Sequence, residues 1–155
     1  MSSQPQTPYA WYDVPPAGIK GVHEGPLTGQ PTSESDAKLW SLLAQLSVVV
    51  GAVFGAGYLG WLGPLIIFLV FKDRNRYVRY NAAEALNAAI AVLVINVAIF
   101  ILATIITIVT LGIGGFLYVL IGVPAIVQIV FAIVGAVKTQ SGEWWNYPVN
   151  IRFIK

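Results

Sequence analysis

The chain has 155 residues, 57% of them apolar and only 10% charged, with nine Lys and Arg against seven Asp and Glu for a net charge of +2. Soluble domains run at roughly 25% charged residues, so a water-soluble core cannot bury this much apolar surface and lipid must cover it. The absence of cysteine excludes disulfides, Cys-ligated zinc and thiol catalysis. The basic residues form no stripe that would track a phosphate backbone, which argues against a nucleic-acid partner.

Residues 1–36 hold six of the nine prolines, many Gln, Ser, Thr and Gly, and an excess of acidic over basic side chains. Such a composition cannot bury enough apolar surface to order itself, so a disordered, Pro-rich acidic tail is expected. Its one aromatic cluster, Tyr9 to Pro16, reads either as a short linear binding motif or as rings touching the membrane interface. No basic n-region precedes the first apolar run. A cleavable signal peptide is therefore not expected, and the apolar runs should act as their own insertion signals.

Leu39–Phe71 contains no Asp, Glu, Lys, Arg or His. Its 33 residues are too many for one span of about 20 and few for two spans and a turn. Gly51, Gly55, Gly57, Gly60, Gly63 and Pro64 punctuate its middle as a turn between helices would. A single span would also put Lys38 and the basic cluster Lys72–Arg79 on opposite sides, against the positive-inside tendency. The reading is a hairpin, with helices over about 36–54 and 59–74.

Ala85–Val137 is equally free of charge, and its 53 residues accommodate two spans broken at Leu111-Gly112-Ile113-Gly114-Gly115. The third helix runs over about 76–109, with Ala82 as an alternative start, and the fourth over about 116–137. The β-branched stretch Ile105–Thr110 would favour a strand in water, but in lipid an isolated strand cannot satisfy its own backbone, and helix wins. The expected fold is an all-α membrane protein whose four transmembrane helices form two hairpins in a domain over 37–155. All nine Lys and Arg then share one side, the cytoplasmic side by the positive-inside rule, with both termini there. The implied location is the bacterial cytoplasmic membrane.

Polar residues concentrate in Lys72–Asn87. On a helix Arg76, Tyr80, Glu84 and Asn87 share a face, and Glu84 at the edge of a long apolar run needs a partner: Tyr80, Asn87, Arg76 or another basic residue. Two readings stay open, a polar niche for a ligand, ion or partner and a helix entry held at the headgroups by a structural ion pair. Gln45, Asn96 and Gln128 inside the spans suit interhelical hydrogen bonding. The last segment, 141–155, carries Trp144, Trp145, Tyr147 and Arg152. It fits an interfacial anchor, or a segment docked onto the polar stretch 72–84. His23 is the only histidine, and no catalytic set or phosphate-cradling loop is present. No enzyme, metal or cofactor is expected.

The segments Trp40–Ser47, GWLGPLIIFLVFKD (Gly60–Asp73), YVRYNAAEALN (Tyr77–Asn87) and SGEWWNYPVNIRF (Ser141–Phe153), in this order, resemble the bacterial Tic-twenty-like family of uncharacterised four-span membrane proteins. That family is related to a subunit of the chloroplast inner-envelope protein-import channel. The resemblance covers Asp36–Lys155. It departs at Gln45 and Asn81, where the family commonly has histidines, and at Ala88-Ala89 in place of Phe-Gln. It implies a four-helix membrane domain that associates with itself or with other membrane proteins, and it does not imply protein import. The sequence thus reads as a non-enzymatic accessory or assembly component of the membrane. The alternative is a subunit of a transporter, channel or translocase with a polar path near Glu84.

Overall fold

The computed structural model describes residues 14–148 and 150–155, so Tyr9, Trp11 and Tyr12 of the aromatic cluster lie outside them. The described residues form four α-helices and one 3-10 helix, and no strand occurs among them. Helix α1 spans Glu34–Phe54, α2 Leu62–Phe71, α3 Arg76–Val109 and α4 Gly122–Gln140, with the 3-10 helix Ile113–Ile121 leading into α4.

Local chemistry explains where these helices begin and end. Ser33 caps α1 by accepting from the Asp36 amide at 3.2 Å, and Glu34 and Asp36 in the first turn oppose the positive helix end. The helix therefore starts before Asp36. Helix α2 is shorter than 59–74. Leu59–Trp61 stay in the turn, and Asn75 leaves helical geometry to cap α3 through a 2.9 Å bond from the Val78 amide. The fourth helix starts later than Phe116, because Pro124 in its first turn has no N–H to donate and crowds the carbonyl four residues back. The stretch before it winds as a tighter 3-10 helix.

Two packed clusters form the core, both toward the end that carries the charges. One joins Ala37 and Ala44 of α1, Phe68 and Phe71 of α2, and Tyr77 and Ala82 of α3. The other joins Val48, Ala85, Ala88 and Ala132 with Tyr147. Small residues at these contacts let the helix backbones approach closely. The helices do not form two independent hairpins: α1 packs most extensively on α4, and α2 on α3.

Three stretches are long and apolar enough to cross a membrane: Glu34–Phe54, Arg76–Val109 and Ile113–Gln140. The fourth expected span is not among them. Helix α2 has 10 residues and rises about 15 Å, half of the roughly 30 Å hydrocarbon layer.

Candidate functional site

The described residues of the segment after α4 have no regular secondary structure, yet they lie along the first three turns of α3. A backbone with no helix or strand of its own must find hydrogen-bond partners elsewhere, and more so at the edge of a membrane. One polar stripe of α3 supplies them. The Tyr77 hydroxyl donates to the carbonyls of Thr139 (2.7 Å) and Glu143 (3.0 Å). Asn81 Oδ1 accepts from the Trp145 amide at 2.9 Å, and Glu84 Oε2 from the Tyr147 amide at 3.3 Å. Asn87 closes the row: its Oδ1 accepts from the amides of Phe153 (3.2 Å) and Ile154 (2.9 Å), while its Nδ2 donates to the Ile154 carbonyl at 2.8 Å.

Glu84 is the centre of this clasp. It is 2% exposed, and Arg152 Nε donates to its Oε1 at 2.5 Å. Asn150 Nδ2 donates to its Oε2 at 2.9 Å. Burial alone would lower the pKa of the Arg152 guanidinium, but the hydrogen bond and charge of Glu84 outweigh it and raise it, so Arg152 stays charged. Helix α1 joins through Gln45, whose Oε1 accepts from the Tyr147 hydroxyl at 2.5 Å and whose Nε2 donates to the Asn81 carbonyl. Burial first, and then the Glu84 charge, push the Tyr147 phenol above its ordinary value, so it remains a donor.

The eight residues singled out in the sequence fall into two groups. Glu84, Asn87, Tyr147 and Arg152 meet in the clasp, and Trp144 joins it by packing at a tilt on Tyr80 (ring centroids 5.3 Å apart) and edge-on against Tyr77. Trp145 packs on Tyr147. Arg76 sits apart from them. Its Nε donates to the His23 carbonyl at 2.9 Å and its Nη2 to the Gly25 carbonyl, tying residues 23–25 to the start of α3. The basic partner of Glu84 is thus Arg152, not Arg76. Tyr77, Asn81, Gln45 and Asn150 are further members. The signal for Tyr77 and Asn81 was present in the polar period 77, 81, 84, 87 at the entry of an apolar helix.

The clasp depends on one close approach. Gly135 of α4 faces Trp145, and a Cβ there would lie 2.6 Å from Trp145 Cδ1 and 2.9 Å from Gln45 Oε1. Gly135→Val is expected to overpack this contact at about 1–3 kcal/mol. Limited proteolysis should then cut the segment after Ser141 faster than in the parent chain.

No group of three or more His, Asp and Glu side chains that could hold a metal ion gathers among the described residues. What the site can do chemically is bind backbone and fasten a chain end. No curated protein and no solved structure matches this chain. A family model does match, that of the magnetosome magnetite crystal formation proteins MamF and MmsF, over residues 36–154. It overturns the resemblance to the Tic-twenty-like family. The strings that carried that resemblance are the middle of α1, the short helix α2, the start of α3 and a docked aromatic segment, features of packing that short apolar motifs do not tie to one family. The chain belongs to the MamF/MmsF magnetosome magnetite crystal formation protein family.

Proposed function

We propose that this protein is a non-enzymatic accessory or assembly component of the magnetosome membrane that acts in magnetite crystal formation. Its partner surface would be the charged end, where the start of α3 meets the docked C-terminal segment. The observation that carries the reading is the clasp itself: a buried ion pair and a row of amides hold an otherwise unstructured segment in one conformation. Held so, the segment exposes Ile151 and Phe153 beside Arg152 and Lys155. Residues 23–30 are fastened to the same end through Arg76 and through Arg74, whose Nε donates to the Gln30 carbonyl at 3.2 Å. This end carries the basic residues, so the positive-inside rule assigns it, with both termini, to the cytoplasmic side. A continuous polar path has less support. Glu84 and Asn87 are engaged with the C-terminal segment, and Asn96 lies about 14 Å further along α3.

The test is complementation in a magnetosome-forming host that lacks this chain. The parent chain should restore crystal size and number in electron micrographs. The variant Ile151→Asp/Phe153→Asp should insert at the same level, fail to restore them, and lose a partner captured by in-cell crosslinking. Crystals unaffected by removal of the chain would refute the proposal. Ion flux into reconstituted vesicles that Glu84→Ala abolishes without unfolding would replace it with the transporter reading.

A further inference from the structure

The turn between α1 and α2 does not reach as far as the turn between α3 and the 3-10 helix. Its position is fixed by contacts at Gly57 and Gly60. A Cβ at Gly57 would lie 2.6 Å from Asn96 Nδ2 and 3.0 Å from Ala125 Cβ, and one at Gly60 would lie 3.1 Å from Gln128 Nε2. The Tyr58 hydroxyl donates to the Asn96 carbonyl at 3.4 Å. The tip of the first hairpin therefore lies level with Asn96 on α3 and with Ala125–Gln128 on α4. From Asn96, α3 continues to Val109, about 20 Å further at 1.5 Å per residue. The 3-10 helix returns alongside it, and neither α1 nor α2 builds an interface with that helix.

This projecting part carries no charge, and its apolar side chains are bare: Leu111 is 95% exposed, Ile113 79% and Phe116 70%. In water it would be an apolar patch far larger than soluble proteins tolerate. The hydrocarbon layer must extend to cover it, and the 55–61 turn is then well short of the far surface. Irregular backbone at that depth is stable only when it is buried in protein or lines a hydrated cavity.

The side chains at the tip favour hydration. Asn96 is 0% exposed and Gln128 3%, and neither carboxamide has a hydrogen-bond partner for its oxygen or its nitrogen among the described residues. Two amide oxygens require donors and two NH2 groups require acceptors. A cation would answer only the oxygens and an anion only the nitrogens, whereas water both donates and accepts. We infer that the Gly55–Trp61 turn is a re-entrant tip that ends inside the bilayer and, with Asn96 and Gln128, encloses a niche of bound water. The molecule then crosses the membrane completely only with α3 and with the 3-10 helix and α4, and α1 and α2 enter and leave from one side.

The chain has no cysteine, so single cysteines at the exposed Ala56, Leu102 and Leu111 can be spin-labelled in the full chain in phosphatidylcholine–phosphatidylglycerol vesicles. Power saturation should show the Leu111 label meeting a water-soluble nickel chelate several-fold more often than the Ala56 label, which should favour oxygen. Equal depth for the two labels would overturn the re-entrant tip. In D2O, the Ala56 label should show deuterium modulation several-fold above that of the lipid-facing Leu102 label. Asn96→Leu/Gln128→Leu, or Gln128→Leu alone if the pair does not fold, should lower that modulation. Modulation no higher at Ala56 than at Leu102 would mean a dry tip with paired amides, and would overturn the niche.

Discussion

Glu84→Ala is expected to release the C-terminal segment and to be the most destabilising single change in the clasp. It removes the partner of Arg152, the acceptor of the Tyr147 amide and the nearer of the two acceptors of Asn150 together, leaving Asn150 only the carbonyl of residue 84. Breaking a buried ion pair by deleting one member costs about 3–5 kcal/mol, because the other charge stays behind. Arg152 is 22% exposed at its side chain and can turn toward water, so the lower end, about 3 kcal/mol, is expected. Unfolding in detergent, followed with limited proteolysis after Ser141, measures it. Arg152→Ala should cost less than Glu84→Ala, since Asn150 and the Tyr147 amide still hold the carboxylate. If Arg152→Ala costs as much or more, the ion pair and not the backbone row is the main fastening. The double variant Glu84→Gln/Arg152→Gln should recover part of the loss, because Gln at 84 retains an acceptor and no charge is left unpaired.

The ordering follows from how the clasp is built. Asn81, Glu84 and Asn87 do for an extended segment what a neighbouring strand would do, offering side-chain acceptors where a sheet would offer carbonyls. Each acceptor meets a backbone amide, so the segment is held largely irrespective of its side chains. Tyr147 and Arg152 then fix its register, one reaching Gln45 on α1 and the other Glu84 on α3. If the proposed partner binds here, a surface held in this way is ordered beforehand, which lowers the ordering cost of binding.

Much of the fold was legible because lipid leaves few choices. Two uncharged runs, a glycine-rich break in each, and the need of every backbone group for an internal partner together demanded helices. The polar entry to α3 was legible too, since a carboxylate at the edge of an apolar run requires a partner. Which partner was not, because Arg152 lies 68 residues away and spacing along the chain says nothing about contacts at that range. The face of α3 was ambiguous for a simpler reason. With 3.6 residues per turn, the rows 76, 80, 84, 87 and 77, 81, 84, 87 share Glu84 and Asn87 and differ by one residue upstream. The docked segment takes its hydrogen bonds from the second row, through Tyr77 and Asn81, while Tyr80 of the first row meets it through the Trp144 ring. The short α2 shows the same limit: 33 residues were few for two spans, but the depth of the turn is set by contacts with Asn96 and Ala125 on later helices.

Gly57→Val should be the most damaging change in the membrane-embedded half, and for two separable reasons. Gly57 has φ of +85°, in the left-handed region, where a β-branched residue is strained by about 1–3 kcal/mol. Its Cβ would also press on the Asn96 amide and on Ala125, an overpacking worth about 1–3 kcal/mol more. Gly115→Val is the control, since a Cβ at Gly115 meets nothing within 4 Å. The unfolding midpoint in detergent should fall sharply for the first variant and hardly move for the second. Adding Asn96→Ala to Gly57→Val removes one of the two clashes and leaves the backbone strain and the Ala125 contact, so recovery should be partial. Full recovery would mean that the turn adopts another backbone conformation at little cost. No recovery would mean that the turn does not rest on Asn96, and the tip would then have to lie at a different depth along α3.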